Sequence, residues 1–373
     1  MKIGFNKPYF TGKETFYIED AVKRKKISGN GYYTKKCQNY FESNYGFKKA
    51  LLTTSCTDAL EMCAILCEIN NGDEIIVPSF TFVSSALAFV RQGAKIVFAD
   101  SYNDNPNIDA DKIESLITHK TKAIVVVHYA GVACDMKKIM ALSEKYNLIV
   151  IEDAAQAICS KSNGQYLGSI GHFSTFSFHE TKNIISGEGG LLVINDDRFI
   201  ERSEIIWEKG TNRAAFFRGE VDKYGWVDTG SSFLPSEIIA AFLWAQLENI
   251  VDIQNKRLSH WHYYQKHLQL WSEANNIQLM PIPSEETNNG HMFYIVCKSA
   301  DHRGQIINHL QRNDISAVFH YISLHSSKFY NDRHDGRVLS NSDKFTDCLL
   351  RLPMYYELNP SQVVEVLTKF KNH

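Results

Sequence analysis

The segment KAIVVVHYAGVACDMKKIMALSEKYNLIVIEDAA, residues 122–155, decides the fold. It begins and ends in β-branched runs too short for helices. Between them Met136, Ile139, Met140, Leu142 and Tyr146 recur at helical spacing, so the unit reads as strand, amphipathic helix, strand. Strands joined by such a crossover run parallel. The same rhythm extends outward through EIIVP at 74–78 and AKIVFAD at 94–100. Together these runs predict an α/β architecture, a mainly parallel central sheet with helices on both faces.

Downstream the pattern changes. A long helical stretch runs from Ser236 to about Trp271, followed by the strand candidate HMFYIVCK at 291–298, a helix candidate at 302–313 and the strand candidate SAVFHYI. Pro281, Pro283 and Asn288–Gly290 punctuate this part, which suits a small α+β unit. A length of 373 residues favours two domains. The expected division is 1–250 for a large α/β domain and 251–373 for a smaller C-terminal α+β domain.

Apolar residues make up 44% of the chain and charged residues 22%, which excludes a disordered scaffold. The 40 Lys and Arg nearly balance 42 Asp and Glu, so no global field draws the protein to nucleic acid or an anionic membrane. Eight cysteines, with no CxxC pair, read as buried thiols of a reducing compartment, and no metal site is expected. The N-terminal stretch has no apolar signal-like core and no window could span a bilayer, so a cytoplasmic location is expected.

The common phosphate-loop motifs are missing from the sequence. No GxxxxGK[ST] occurs, GNG at 29–31 lacks the third spaced glycine, and SGEGG at 186–190 reads as a turn before the strand LLVIN. Three other stretches carry chemistry. In LLTTSCTDALEMCAILC, 51–67, a strand passes into a helix, so Ser55, the Cys56 amide and Thr57 either surround an anion or simply cap the helix. Asp153 follows the run LIVI at the carboxyl end of a strand; it either caps a helix through AAQAICS or pairs with a protonated cofactor nitrogen. In GHFSTFSFHETKNIISGEGG, 171–190, an aromatic strand ends in Ser177, His179 and Lys182. A lone loop lysine is usually a solvated charge, but a hydroxyl before it and a glycine turn after it suit a Schiff-base lysine beside a phosphate.

In their order, TSCTxALEM, PSFTFVS, VHYAGVACDM, IEDAAQ, FSFHETKN, EKGTNR, AFFRG and VFHYI resemble the sugar-nucleotide aminotransferases of the DegT/StrS type. These are pyridoxal-phosphate enzymes of the aspartate-aminotransferase fold, PLP fold type I, and the resemblance runs nearly end to end. It implies pyridoxal 5'-phosphate as cofactor, with Lys182 as the Schiff-base lysine and proton carrier and Asp153 on the pyridine nitrogen. Gln156, one turn along the following helix, matches the residue near the phenolic oxygen, and Phe82 the aromatic stacked on the ring. Ser55, Cys56 and Thr57 match the phosphate cup with Ser177 adding a hydroxyl; Cys56 stands where the family has glycine. Ser232 aligns with an asparagine offered by a partner subunit, which implies a homodimer with active sites at the interface. His320, Tyr321 and His325 in FHYISLH resemble the HYxPLH element bordering the sugar nucleotide, with Ser323 in place of Pro. Arg213, Arg218 and Lys223 read equally as pyrophosphate contacts or as a solvated loop.

The implied reaction takes an amino group from L-glutamate to C4 of dTDP-4-dehydro-6-deoxy-D-glucose. Its product is dTDP-4-amino-4,6-dideoxy-D-galactose, for O-antigen or other surface polysaccharide. The alternatives are the 4-epimeric product dTDP-viosamine, a C3-keto-sugar aminotransferase, and a cofactor-free binding protein on the same fold. The related sugar 3-dehydrases carry histidine at the lysine position, so Lys182 argues against them.

Overall fold

The apolar runs pair side by side, and their ends define one edge of a sheet. The computed structural model describes residues 2–371. Its strands begin with β1 (Lys49–Thr53), β2 (Glu74–Pro78), β3 (Lys95–Ala99), β4 (Thr121–Val127) and β5 (Ile149–Asp153). A short hairpin of β6 (Lys161–Ser162) and β7 (Gln165–Tyr166) precedes β8 (Phe173–Ser177) and β9 (Gly190–Ile194). The main sheet has seven strands in the order β1-β9-β8-β5-β4-β2-β3. The neighbours from β3 to β8 are parallel, while β9 runs against both β8 and β1.

That single reversal brings the start of β9 to the carboxyl ends of its neighbours. Gly190 is paired with both Thr53 and Ser177. A Cβ there would lie 2.4 Å from the Ser55 carbonyl carbon and 2.5 Å from the Cys56 nitrogen, so only glycine lets β9 pass under the peptide that opens the helix Cys56–Leu66. The glycine turn of the sequence is therefore part of the same edge.

The stretch from Ser236 forms two helices, Glu237–Glu248 and Ile250–Ala274, with the break at Asn249. Trp261, Tyr264, Leu268 and Trp271 of the second helix pack in a core with the small antiparallel sheet. That sheet joins β10 (Gln278–Leu279), β11 (Phe293–Val296), β12 (Val318–Phe319) and β13 (Leu349–Leu352) in the order β10-β11-β13-β12. The N-terminal segment crosses from this sheet to the main one. Ile3 bridges Ile315, the Phe5 carbonyl accepts from Met354 N–H at 3.3 Å, and Asn6 Nδ2 donates to the Glu180 carbonyl at 3.5 Å.

One local expectation is corrected. AAQAICS after Asp153 is not a helix but successive turns, with Ala157 N–H donating to Ala154 and Ser160 N–H to Ala157. Gln156 thus sits in a turn. The cause is distant in sequence: Asn289 Nδ2 donates to the carbonyls of Gln156 and Ile158, both at 2.8 Å, and so occupies acceptors that a helix would need. Cys159, at φ +66°, then turns the chain out of helical geometry.

No helix among the described residues is long and apolar enough to cross a membrane.

Gly190→Ala is expected to destabilise the fold by about 1–3 kcal/mol, since backbone rather than a flexible side chain must yield. Urea unfolding of parent and variant measures it; an unchanged midpoint would contradict the close approach.

Candidate active site

The carboxyl ends of β5 and β8 open into a cavity of about 1240 Å³. Lys182 enters it from the loop after β8, where its N–H donates to the His179 carbonyl at 2.9 Å. Among the described residues its ammonium has neither an ion-pair partner nor a hydrogen bond. Burial pushes its proton affinity below the usual lysine range; Cys56 and Asp153 work the other way, and Arg351 adds to the depression. The amine is thus biased toward the neutral form that a nucleophile or base needs.

Asp153 faces the same cavity from the end of β5. Its Oδ2 accepts from Ser85 Oγ at 2.7 Å and its Oδ1 from Ala155 N–H at 3.2 Å. Burial raises its affinity for a proton, while those two donors and Lys182 pull it back. The preceding residue, Glu152, projects to the opposite face and is fully buried. It accepts from the N–H groups of Gly168, Ile170 and Gly171 and from His128 Nε2 at 2.9 Å. Since Cys134 N–H donates to His128 Nδ1, the ring carries its proton on Nε2.

The helix Cys56–Leu66 ends at the cavity. Ser55 caps it, Oγ accepting from Asp58 N–H at 3.0 Å, so the capping reading holds while Ser55, Cys56 and Thr57 all line the cavity. Thr57 Oγ1 lies 2.8 Å from Ser84 Oγ, and Ser177 stands across from them at the end of β8. Burial pushes the Cys56 thiol well up.

The small sheet supplies the opposite wall. Tyr321 OH accepts from Gln156 Nε2 at 3.1 Å, leaving its own proton for the cavity, and Gln156 Oε1 accepts from Ala130 N–H at 2.7 Å. His320 stacks on Tyr321 with ring centroids 3.6 Å apart and pairs with Tyr129 OH through Nδ1. Phe82 lines the cavity with 55% of its surface exposed, an unusual place for a phenylalanine without a ligand to cover it.

Five expected residues are not brought to this cavity. His325 is turned away, its Nδ1 2.7 Å from Ser79 Oγ and its Nε2 3.5 Å from Asp343. Arg218 is held by Glu204 and Glu220, both at 2.7 Å, and Arg213 lies 3.7 Å from Glu208. Lys223 and Ser232 are exposed on the segment between the helix Arg213–Phe217 and the helix that starts at Glu237. Other cavity residues escaped the sequence reading. His291 and Arg351 sit in strand-like runs; behind the cavity wall, Ser85 stands just past the quoted PSFTFVS as an ordinary helix serine, and Asn289 in what reads only as a turn.

Comparison with known proteins agrees with this geometry. Residues 9–371 match the model of the DegT/DnrJ/EryC1/StrS aminotransferase family. The chain belongs to this family. A GDP-perosamine synthase of Escherichia coli O157:H7 is 31% identical over 363 residues, covering 96% of this chain and 95% of that one. Among solved structures, the aminotransferase TlmJ from Streptoalloteichus hindustanus superposes with a TM-score of 0.90 at 23% identity, covering 99% and 98% of the two chains. A Streptococcus pneumoniae structure in its PLP-form gives 0.88 at 23% identity, with coverage of 99% and 98%.

This DegT/StrS-family chain is therefore a sugar aminotransferase, a pyridoxal-phosphate-dependent transaminase. Its residues fit the cofactor. Among the described residues the Lys182 amine has no partner and the buried Asp153 carboxylate no cation in contact, and with a capped helix start flanked by hydroxyls they would answer the aldehyde, the ring nitrogen and the phosphate. Bound there, pyridoxal phosphate supplies an electron sink and an acceptor for the amino group.

The depressed Lys182 pKa has a thermodynamic sign. Below the folded-state value the buried charge destabilises the cofactor-free protein; between that value and the unfolded 10.5 the unfolded chain binds more protons, so stability rises with pH. Lys182→Met is expected to raise the melting temperature of cofactor-free protein at pH 7, with the gap narrowing toward pH 10. Each tenfold in proton affinity is worth about 1.4 kcal/mol. Thermal scans across pH check the slope; a gap that stays constant would contradict the assignment.

Proposed function

We propose that this enzyme transfers the amino group of L-glutamate to C4 of dTDP-4-dehydro-6-deoxy-D-glucose, giving dTDP-4-amino-4,6-dideoxy-D-galactose. The observation that carries the reading is the convergence of Lys182, whose charge burial disfavours, and a Ser85-held Asp153 in one cavity. At about 1240 Å³ that cavity exceeds the usual 300–1,000 Å³ of a single small-ligand site, which leaves room for a substrate beside a cofactor. The dTDP choice is supported by the set of motifs along the chain. A GDP-linked acceptor is the second reading, favoured by the Escherichia coli relative's name.

In this reading Lys182 carries the cofactor and moves the proton at the reacting carbon. Asp153 holds the ring nitrogen protonated, Phe82 stacks on the ring and Gln156 lies near its phenolic oxygen. Ser55, Cys56, Thr57 and Ser177 hold the phosphate. His320 and Tyr321 border the sugar. Ser232 is offered to the partner subunit's cofactor phosphate across a homodimer interface, which the exposed aromatic surface of its segment suits, with Trp226 85% and Phe217 70% exposed, and Arg213, Arg218 and Lys223 meet the substrate's pyrophosphate. Residues 1–250 form the large cofactor-binding domain and 251–373 the smaller one, and the enzyme works in the cytoplasm.

Incubation with glutamate and either dTDP- or GDP-linked 4-keto sugar, followed by NMR of the product, tests the reaction. An axial amine at C4 of the dTDP sugar is the expected result; consumption of the GDP sugar alone would overturn the dTDP choice. Borohydride reduction of the holoenzyme is expected to fix the cofactor to Lys182, and Lys182→Ala to abolish turnover. Ser85→Ala removes a hydrogen bond to a charged group, so kcat should fall roughly tenfold or more. A kcat equal to the parent's would remove Ser85 from the account.

A further inference from the structure

One ring in the cavity has no role in the account above. His291 stands two residues before β11 and lines the cavity beside Lys182, while Asn183, the residue after Lys182, is buried behind the wall. Asn183 Nδ2 donates to the Asn289 carbonyl at 2.8 Å and to Gln254 Oε1 at 2.9 Å. A main-chain carbonyl only accepts, so the amide is oriented with its oxygen toward His291 Nδ1, 2.9 Å away. His291 therefore carries its proton on Nδ1 and keeps a lone pair on Nε2. Since Nδ1 faces the buried Asn183, the Nε2 edge is the one that opens to the cavity, and among the described residues Nε2 has no partner. The residue is also held by its backbone: its N–H donates to Asn289 Oδ1 at 3.0 Å and its carbonyl accepts from Arg257 Nη2 at 2.7 Å. Burial, with Lys182, Arg257 and Arg351 around it, keeps its proton affinity well below the usual histidine range, so the ring is a neutral acceptor.

An acceptor fixed in advance selects a ligand that donates. The amino acid brings carboxylates, whose lone pairs Nε2 would repel, and its one donor is the nitrogen being handed over. The 4-keto sugar keeps hydroxyl groups. Its keto carbon is flanked by C3, which bears a hydroxyl, and by C5, which bears none. Because His291 is tied to the residue next to Lys182, its lone pair lies on the reacting side of the cavity, where the hydroxyl nearest to C4 is the one at C3.

We propose that His291 Nε2 accepts a hydrogen bond from the C3 hydroxyl of the acceptor sugar, so that the enzyme distinguishes 3-hydroxy from 3-deoxy 4-keto sugars. This deepens the acceptor reading and rests on it. The contact serves the sugar alone, so the two half-reactions depend on His291 unequally.

The test uses holoenzyme of the parent, His291→Leu and His291→Gln. The acceptors are the 4-keto-6-deoxy sugar, on whichever nucleotide the parent accepts, and its 3-deoxy counterpart; the glutamate half-reaction is followed in parallel. The parent should prefer the 3-hydroxy sugar in kcat/KM by roughly 10- to 100-fold, the effect of leaving an enclosed acceptor unpaired. In His291→Leu that preference should collapse to near parity, while the glutamate half-reaction falls far less. His291→Gln sets a carbonyl oxygen where Nε2 was and should recover part of the preference, which also covers a Leu variant that does not fold. A parent without the preference, or a Leu variant that keeps it, overturns the proposal. Equal falls in both half-reactions would assign His291 to Lys182 and overturn it as well. If the parent turns over neither the dTDP- nor the GDP-linked 4-keto sugar, the acceptor reading fails by itself. Calorimetry with dTDP-6-deoxyglucose and its 3-deoxy form then decides: a His291-dependent preference for the hydroxyl supports the contact, and the lack of one refutes it.

Discussion

The structure depends on holding two opposite charges in one cavity without letting them meet. Among the described residues Lys182 and Asp153 form no ion pair, although each shifts the other's proton affinity. A direct contact would fix the amine as ammonium and consume the carboxylate. Asp153 is instead held by Ser85 and Ala155 N–H, and burial is the largest influence on Lys182. Much of the surrounding architecture serves that separation: strand ends from two parallel neighbours, a reversed β9, and a glycine that admits the helix start between them.

The adjacent carboxylates Glu152 and Asp153 show how a strand divides labour. Alternation along β5 sends them to opposite faces. Glu152 meets three backbone N–H groups and His128, so its capacity is spent on tying the loop before β8 to the sheet. Among the described residues Asp153 accepts two donors, which leaves acceptor capacity for a ligand. One carboxylate is spent on structure and the next is left open to a ligand because of what the neighbouring loop offers.

The sequence was most legible where the determinants are local. β2, β4 and β5 fall on their β-branched runs, and the helix Met136–Tyr146 on its apolar spacing. Lys182, Asp153, Ser55, Thr57, Ser177, Phe82, Gln156, His320 and Tyr321 all line the cavity, because each of their motifs sits at or just past the carboxyl end of a strand. Legibility stops where distant side chains decide. Asn289 dissolves the helix expected after Asp153, from 133 positions away. Arg351 looks like one polar residue in a leucine strand until β13 is placed beside the cavity. His325 carries the spacing of a motif, but Ser79 captures its ring.

The thiol of Cys56 has a practical side. Cysteine chemistry runs through the thiolate, and this one sits where burial and the neighbouring Asp153 suppress ionisation. Electrophiles that tag ordinary surface thiols at neutral pH therefore find a slow target at the heart of this enzyme.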